Sequence, residues 1–248
     1  MRWIVLGLSM WCATASAQIS PPGLGEAETA TWVAAGVRQQ LDARRASMTY
    51  AGAGAVNEHL ELPNEPAILV VNEELYDKFA EHWVYSLALS YRRQNEYSLH
   101  EAVERRQEVR FYGRLSNVLQ AGRLKLSSTF RPELRTFYTT SFAPDDEPLQ
   151  LRFRVREQLA VRLDTNGVHH VIGSAEVLSS IAKARRWGEL AYRESRFCLY
   201  YSLDREQWPV VLNVGYMNDL IGRGSAVADV HYLAFDVTWE NPFGKPHG

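Results

Sequence analysis

The sequence predicts an all-β fold, a single antiparallel up-and-down transmembrane β-barrel of about 12 strands, with about 10 as the fallback count. Three observations predict it. Residues 149–163 read Leu-Gln-Leu-Arg-Phe-Arg-Val-Arg-Glu-Gln-Leu-Ala-Val-Arg-Leu, apolar at the odd positions apart from Glu157 and polar, mostly cationic, at the even ones. A period of two is the signature of a strand with one face in each of two environments. This run is fifteen residues long, whereas strands of ordinary globular domains run about five or six. At about 3.3 Å per residue it reaches roughly 50 Å, enough to cross a tilted apolar band about 25 Å tall. Finally, the same alternation recurs along the chain, separated by turn chemistry, with aromatic residues near the ends of apolar faces.

The elements follow in order. Residues 1–17 carry an early Arg2, a short apolar run and an Ala15-Ser16-Ala17 site, the pattern of a secretory signal peptide cleaved before Gln18. Residues 18–248 form the barrel domain. Cys12 is preceded by Trp11 where a lipidation site needs a small residue. Cleavage leaves Cys198 alone, so no internal disulfide is expected. No other segment supplies the roughly 18 apolar residues of a membrane helix. Residues 31–41 place Val33, Ala35, Val37 and Leu41 on one face and Gly36, Arg38 and Gln40 on the other. Residues 47–80 are ambiguous. Residues 48–56 and 68–71 read as strands, whereas Asn72, Glu73, Glu74, Leu75, Tyr76 and Phe79 also suit a capped helical turn. Residues 82–91 alternate cleanly, with Trp83, Tyr85, Leu87, Leu89 and Tyr91 on one face.

Residues 108–115 set Glu108, Arg110, Tyr112 and Arg114 against Val109, Phe111, Gly113 and Leu115. Residues 123–138 set Arg123, Lys125, Ser127, Thr129, Arg131, Glu133 and Arg135 against Leu124, Leu126, Phe130, Leu134 and Tyr138, with Pro132 weakening one ladder bond and marking a candidate bulge. Pro144-Asp145-Asp146-Glu147-Pro148 breaks the pattern ahead of residue 149. Asp164-Thr165-Asn166-Gly167 is a hairpin turn. Residues 168–181, 193–203, 210–216 and 230–240 complete the series. The candidate strands number about eleven, and the even-number rule of single-chain bacterial barrels sets the expectation at about twelve.

Six stretches, Thr31-Trp32 through Leu41, Leu89-Ser90-Tyr91-Arg92, residues 105–110, Phe130-Arg131-Pro132-Glu133-Leu134-Arg135, Gly173-Ser174-Ala175-Glu176 and Tyr192-Arg193-Glu194-Ser195-Arg196, occur in an order that resembles a bacterial outer-membrane β-barrel family known as domain of unknown function 2490. The resemblance spans nearly the whole mature chain through short, degenerate motifs. It implies a barrel in the outer membrane of a Gram-negative bacterium and carries no activity with it. Such barrels commonly finish on an aromatic residue, whereas this chain runs on past Phe243; Trp239 and Phe243 are the internal candidates for that assembly signal.

The most distinctive constellation is a charged wall expected to face the lumen: Glu108, Arg110, Arg114, Arg123, Lys125, Arg131, Glu133, Arg135, Arg152, Arg154 and Arg156, with Glu176, Glu194 and Arg196 on later strands. Arginine's planar fork makes bidentate pairs with carboxylates. One consequence is a salt-bridged plug, because a small barrel has little open bore. The other is a narrow channel or site that prefers anions, since rings of arginine select for them. The reading is therefore an outer-membrane protein, structural or a narrow anion-preferring channel. A soluble periplasmic lipocalin-like binding barrel is the alternative, and a lipid-modifying enzyme a lesser one. Of the histidines, His169-His170 reads as a strand end and His231 lies near Asp229 without a well-placed serine, so no enzyme is expected. No metal spacing, nucleophile elbow or phosphate-binding glycine loop occurs, and no cofactor is expected. The expected partners are outer-membrane lipid and lipopolysaccharide, the assembly machinery and a small anionic solute. Nucleic acid is excluded as a partner, and a monomer is expected.

Overall fold

The alternation of apolar and polar residues builds eleven strands and no helix in the computed structural model, which describes residues 19 and 21 and residues 29–56, 67–96, 104–205, 208–223 and 226–244. The strands are β1 (Thr29–Gln40), β2 (Arg45–Val56), β3 (Ile68–Lys78), β4 (Trp83–Glu96), β5 (Glu104–Ala121), β6 (Leu124–Tyr138), β7 (Pro144–Arg162), β8 (His169–Lys183), β9 (Ala191–Asp204), β10 (Val210–Arg223) and β11 (Ala226–Glu240). Each pairs with its chain neighbours, and β1 closes on β11 to complete the barrel. The expected signal peptide lies outside the described residues, as do His59, His100 and His247.

The strand count is eleven rather than twelve, and the odd number has a topological consequence. Up-and-down strands alternate direction, so the first and eleventh run the same way. The seam is accordingly parallel, from Thr29↔His231 to Arg38↔Glu240, while every other described pair is antiparallel, as between β1 and β2 or β10 and β11. The connections after β1, β3, β5, β7 and β9 gather at one end, called here the short-turn end, and those after the even strands gather at the other.

Two readings of local structure change. Residues 68–78 continue as β3 through Asn72, Glu73 and Glu74, with burial alternating at every step to Leu75 and no helical turn. The stretch 144–148 opens β7, which runs for nineteen residues. A register shift between Thr136 and Tyr138 lets Tyr138 pair with Pro144 and absorbs the break. Pro132 does interrupt pairing with β5, between the partners Tyr112↔Glu133 and Leu115↔Phe130. It lacks the N–H the ladder needs, yet the register on either side is unchanged, so no bulge forms there.

The faces are inside-out relative to a soluble barrel. Outward-pointing large apolar residues include Val33 (55% exposed), Leu89 (58%), Phe111 (52%) and Leu199 (57%). Inward positions hold the buried residues, both apolar and charged. An apolar cluster occupies the β1–β3 and β9–β11 side, where Trp32, Met48, Ile68, Val70, Tyr200, Met217 and Tyr232 pack with Ile19. Trp32 lies over Gly52, where an added Cβ would sit 2.3 Å from Cζ2, and Tyr200 lies over Gly215 in the same way. The missing side chains make room for the rings. The opposite side of the lumen, over β4–β9, is ionic.

Candidate functional site

Because adjacent residues of a strand point to opposite faces, inward residues two apart on one strand meet inward residues on its neighbours. Glu133 on β6 is the meeting point. Its Oε2 accepts from Arg152 Nε at 2.8 Å and its Oε1 from Arg154 Nη1 at 3.2 Å. Arg131 Nε lies 2.8 Å from Oε1 and Arg110 Nε 3.7 Å from Oε2. Glu108 on β5 is a second centre. It accepts from Arg110 Nε at 2.8 Å and, bidentately, from Arg135 Nε and Nη2 at 2.7 and 2.8 Å, with Arg92 Nη1 at 3.9 Å. Arg154 also binds Glu176 of β8 through both Nε and Nη2.

The network then jumps strands. Arg152 Nη1 reaches Glu194 of β9 at 3.7 Å, and Arg196 donates to Glu194 at 2.6 Å while its Nε lies 3.3 Å from Asp219 of β10. On the other flank Tyr112 Oη lies 3.0 Å from both Asn72 Oδ1 and Glu74 Oε2 of β3, and Arg114 Nη2 donates to Glu74 at 3.2 Å. Arg131 stacks its guanidinium 3.6 Å over the Tyr112 ring, a cation–π contact in a confined site. Ion pairs therefore run without a break from Arg92 of β4 through β5, β6, β7 and β9 to Asp219 of β10, and Tyr112 and Arg114 carry the polar network to Glu74 of β3.

Beside this network lies a cavity of about 260 Å³. Its lining includes Arg114, Arg131, Arg154 and Arg156 on one side and Trp32, Met48, Val70 and Ile19 on the other, with Tyr50, Tyr76 and Tyr112 between them. It extends toward the short-turn end, where Arg38, Arg44 and Lys78 line it. Eleven cationic side chains border it against two carboxylates, Glu74 and Glu176.

The structure brings together most of the wall expected from sequence. Glu108, Arg110, Arg114, Arg131, Glu133, Arg135, Arg152, Arg154, Glu176, Glu194 and Arg196 share one network. Arg156 lines the cavity and donates to Ser174 Oγ at 3.2 Å. Lys125 lies on the same face of β6 as Ser127 and Thr129, nearer the short-turn end. Arg123 does not join the wall. It lies in the turn between β5 and β6, is exposed, and reaches the Leu163 carbonyl at 3.5 Å. β6 begins one residue after it, at Leu124, so no strand geometry aims it inward.

Arg92, Asn72, Glu74, Tyr112 and Asp219 join the network without belonging to the charged wall expected from sequence. Glu74 falls in the stretch whose sequence is ambiguous between a strand and a capped helical turn, yet it is buried at 2% exposure. If β3 is a strand, Glu73 and Glu74 must point to opposite faces, and that was the available signal. Tyr112 shares the alternating face of Glu108, Arg110 and Arg114 but carries no charge, Asp219 lies past the expected strand end at residue 216, and Trp32 lines the cavity without joining the network. Outward, Glu157 is confirmed as the exception on the apolar face of β7, where it accepts from Ser128 Oγ at 2.6 Å. Glu73 is the matching case on β3, bonded by Thr49 Oγ1.

His231 Nε2 lies 3.7 Å from Asp229, and its Nδ1 faces the Tyr216 hydroxyl, all on the outer surface. Among the described residues no group of three or more His, Cys, Asp or Glu side chains is placed to hold a metal ion. No family model matches the chain, and no curated protein matches it.

Proposed function

We propose that this chain is a bacterial outer-membrane β-barrel, of the kind it resembles in sequence, whose lumen is closed by its own Arg/Glu network. The observation that carries the reading is the inverted wall. Lipocalin-like barrels put their oily faces inward, whereas here the oily faces point out and the arginines point in. Water on that outer surface would meet large apolar side chains on strand after strand, a far larger patch than soluble monomers display. A bilayer removes the penalty, and closure of the barrel satisfies the backbone within it. The protein is then exported, folded by the outer-membrane assembly machinery and surrounded by lipid and lipopolysaccharide.

Gel mobility of unheated and boiled protein from fractionated cells tests this. A heat-modifiable band in the outer-membrane fraction is expected; a soluble periplasmic protein with one mobility would overturn the reading.

A narrow anion-preferring channel is the second reading, favoured by the excess of cations around the cavity. Under the closed-lumen reading planar bilayers show no steady conductance. Small anion-selective steps that lose selectivity in Arg152→Ala and Arg154→Ala would favour the channel instead.

A further inference from the structure

Three arginines stand side by side across the barrel wall. Arg131 faces Arg154 directly in the β6–β7 register. Arg114 lies beside Arg131, in the interval between the Tyr112↔Glu133 and Leu115↔Phe130 partners of β5 and β6. Like charges directly opposite on neighbouring strands repel, and inside a barrel water does little to screen them. Glu74, Glu133 and Glu176 offset part of this. Across the described lumen, however, Arg92, Arg110, Arg114, Arg131, Arg135, Arg152, Arg154, Arg156 and Arg196 outnumber Glu74, Glu108, Glu133, Glu176, Glu194, Asp219 and Asp236 by nine to seven. The surplus sits where the cavity is, and the cavity's far wall is apolar. Trp32 on that wall keeps its indole N–H buried without a hydrogen-bond partner.

We propose that this cavity is a binding site for a small amphipathic organic anion. Its phosphate or carboxylate sits on Arg114, Arg131 and Arg156, and its apolar part packs against Trp32, Met48 and Val70. The inference rests on the closed-lumen reading above, because a site in a continuous pore would hold its ligand only in passing. Arginine forks match the two or three oxygens of such a group. The volume of about 260 Å³ is close to the lower bound of small-molecule pockets, roughly 300 Å³, which sets the ligand at the size of a substituted ring or short acyl chain. Simple inorganic anions satisfy the cationic wall and leave the apolar wall wet. Neutral apolar molecules do the reverse. The solute enters from the short-turn end, past Arg38 and Lys78, because the ion-pair network closes the other direction.

Titration calorimetry on the full, folded chain tests the site with phenylphosphate as probe and inorganic phosphate and benzyl alcohol as controls. Saturable binding of phenylphosphate is expected, at least tenfold tighter than either control. Arg156→Gln, which removes a cavity-lining cation that donates to Ser174 Oγ, should weaken it at least tenfold while inorganic phosphate and benzyl alcohol stay weak. Absence of saturable phenylphosphate binding by protein that still shows the folded gel mobility overturns the proposal, as does inorganic phosphate binding equally well. If Arg156→Gln fails to fold, the three-ligand comparison on the unaltered chain decides alone. Failure of the membrane reading is separate: it appears as a soluble protein without heat modifiability, on which the same titration can be run.

Discussion

Arg152 and Glu133 meet at 2.8 Å inside the barrel, with the carboxylate side chain fully out of contact with solvent and three further arginines within 4 Å of it. A carboxylate in that position is stabilised only by its cations, and they only by it. Burying either sign alone costs more than the pair returns. Glu133→Gln leaves Arg110, Arg131, Arg152 and Arg154 facing one another and should destabilise the barrel by roughly 3–5 kcal/mol, the range for breaking a buried pair from one side. Urea unfolding followed by gel mobility reads this directly. A loss below about 1 kcal/mol would place Glu133 in an environment as wet as a surface pair.

Packing on the other side of the lumen makes a different demand. At Gly52 an added Cβ would lie 2.3 Å from Trp32 Cζ2 and 2.5 Å from Cη2, while at Gly173 it would meet nothing within 4 Å. Gly52→Val should therefore cost about 1–3 kcal/mol or more through overpacking, whereas Gly173→Val should be close to neutral. Thermal shift of the folded band in the two variants, measured together, checks the contrast. Equal effects would show that the Trp32 ring is free to move aside.

Most of the barrel was legible in the sequence because β7, β9 and β11 alternate with few exceptions, and a one-residue slip would turn every arginine toward the apolar side. Legibility failed where both faces carry similar residues. In β3 the run Ile68-Leu69-Val70-Val71 is apolar on both faces, so periodicity is silent and the carboxylates that follow read as a turn. The lumen of β1 is likewise filled by Trp32, Ala34 and Gly36, residues whose inward role depends on the glycines of β2 beneath the ring. The odd strand count was hidden for another reason. Eleven candidate strands were visible, but only the pairing of β1 with β11 shows that a parallel seam closes the wall.

That seam predicts a specific cross-link. Ala35 and Val237 are register partners in the parallel β1–β11 pair and both point outward. With Cys198 replaced by Ser, the variant Ala35→Cys/Val237→Cys should form an intramolecular disulfide on mild oxidation, since adjacent strand partners fall within the usual Cα separation of about 4.4–6.8 Å. Peptide mapping should recover the linked pair, and Ala35→Cys/Leu233→Cys, two rungs and four residues out of register, should cross-link far less. Preference for the mismatched pair would reject the parallel closure.

The turn between β1 and β2 carries a pH dependence of its own. Asp42 Oδ1 accepts from the N–H groups of Arg44 and Arg45 at 2.8 Å each, and Oδ2 accepts from Arg45 Nε at 2.6 Å. These donors favour the ionised form and lower the carboxyl to about 2, against an ordinary aspartate near 3.9. A depressed folded value means the stabilisation is complete above about pH 4 and is lost as pH falls through about 2. Asp42→Asn keeps an oxygen for the backbone donors but removes the charge. The stability advantage of the native residue over Asp42→Asn should shrink steadily across that window and be constant from pH 5 to 7. A difference independent of pH down to 2 would show that the carboxylate is not held by these donors.

The outward carboxylates separate the membrane reading from a soluble one. Glu157 lies on the apolar face of β7 between Val155 and Leu159, with Ser128 opposite as its hydroxyl donor. A carboxylate facing lipid costs free energy that depends on its depth, less than the roughly 2–4 kcal/mol of a basic residue at the midplane. One hydrogen bond from serine returns only about 1 kcal/mol of that. Glu157→Leu should therefore raise the stability of bilayer-folded protein by about 1–2 kcal/mol, with a smaller gain in detergent, where water reaches the micelle surface. On a water-facing wall the same change adds one more exposed leucine to an apolar surface, bringing no stability and lowering solubility. Urea titrations in vesicles and in micelles, run side by side on both sequences, distinguish the two. A gain in vesicles assigns the outer face to lipid, and a neutral or negative change there, with increased aggregation, removes the bilayer from the account of this barrel.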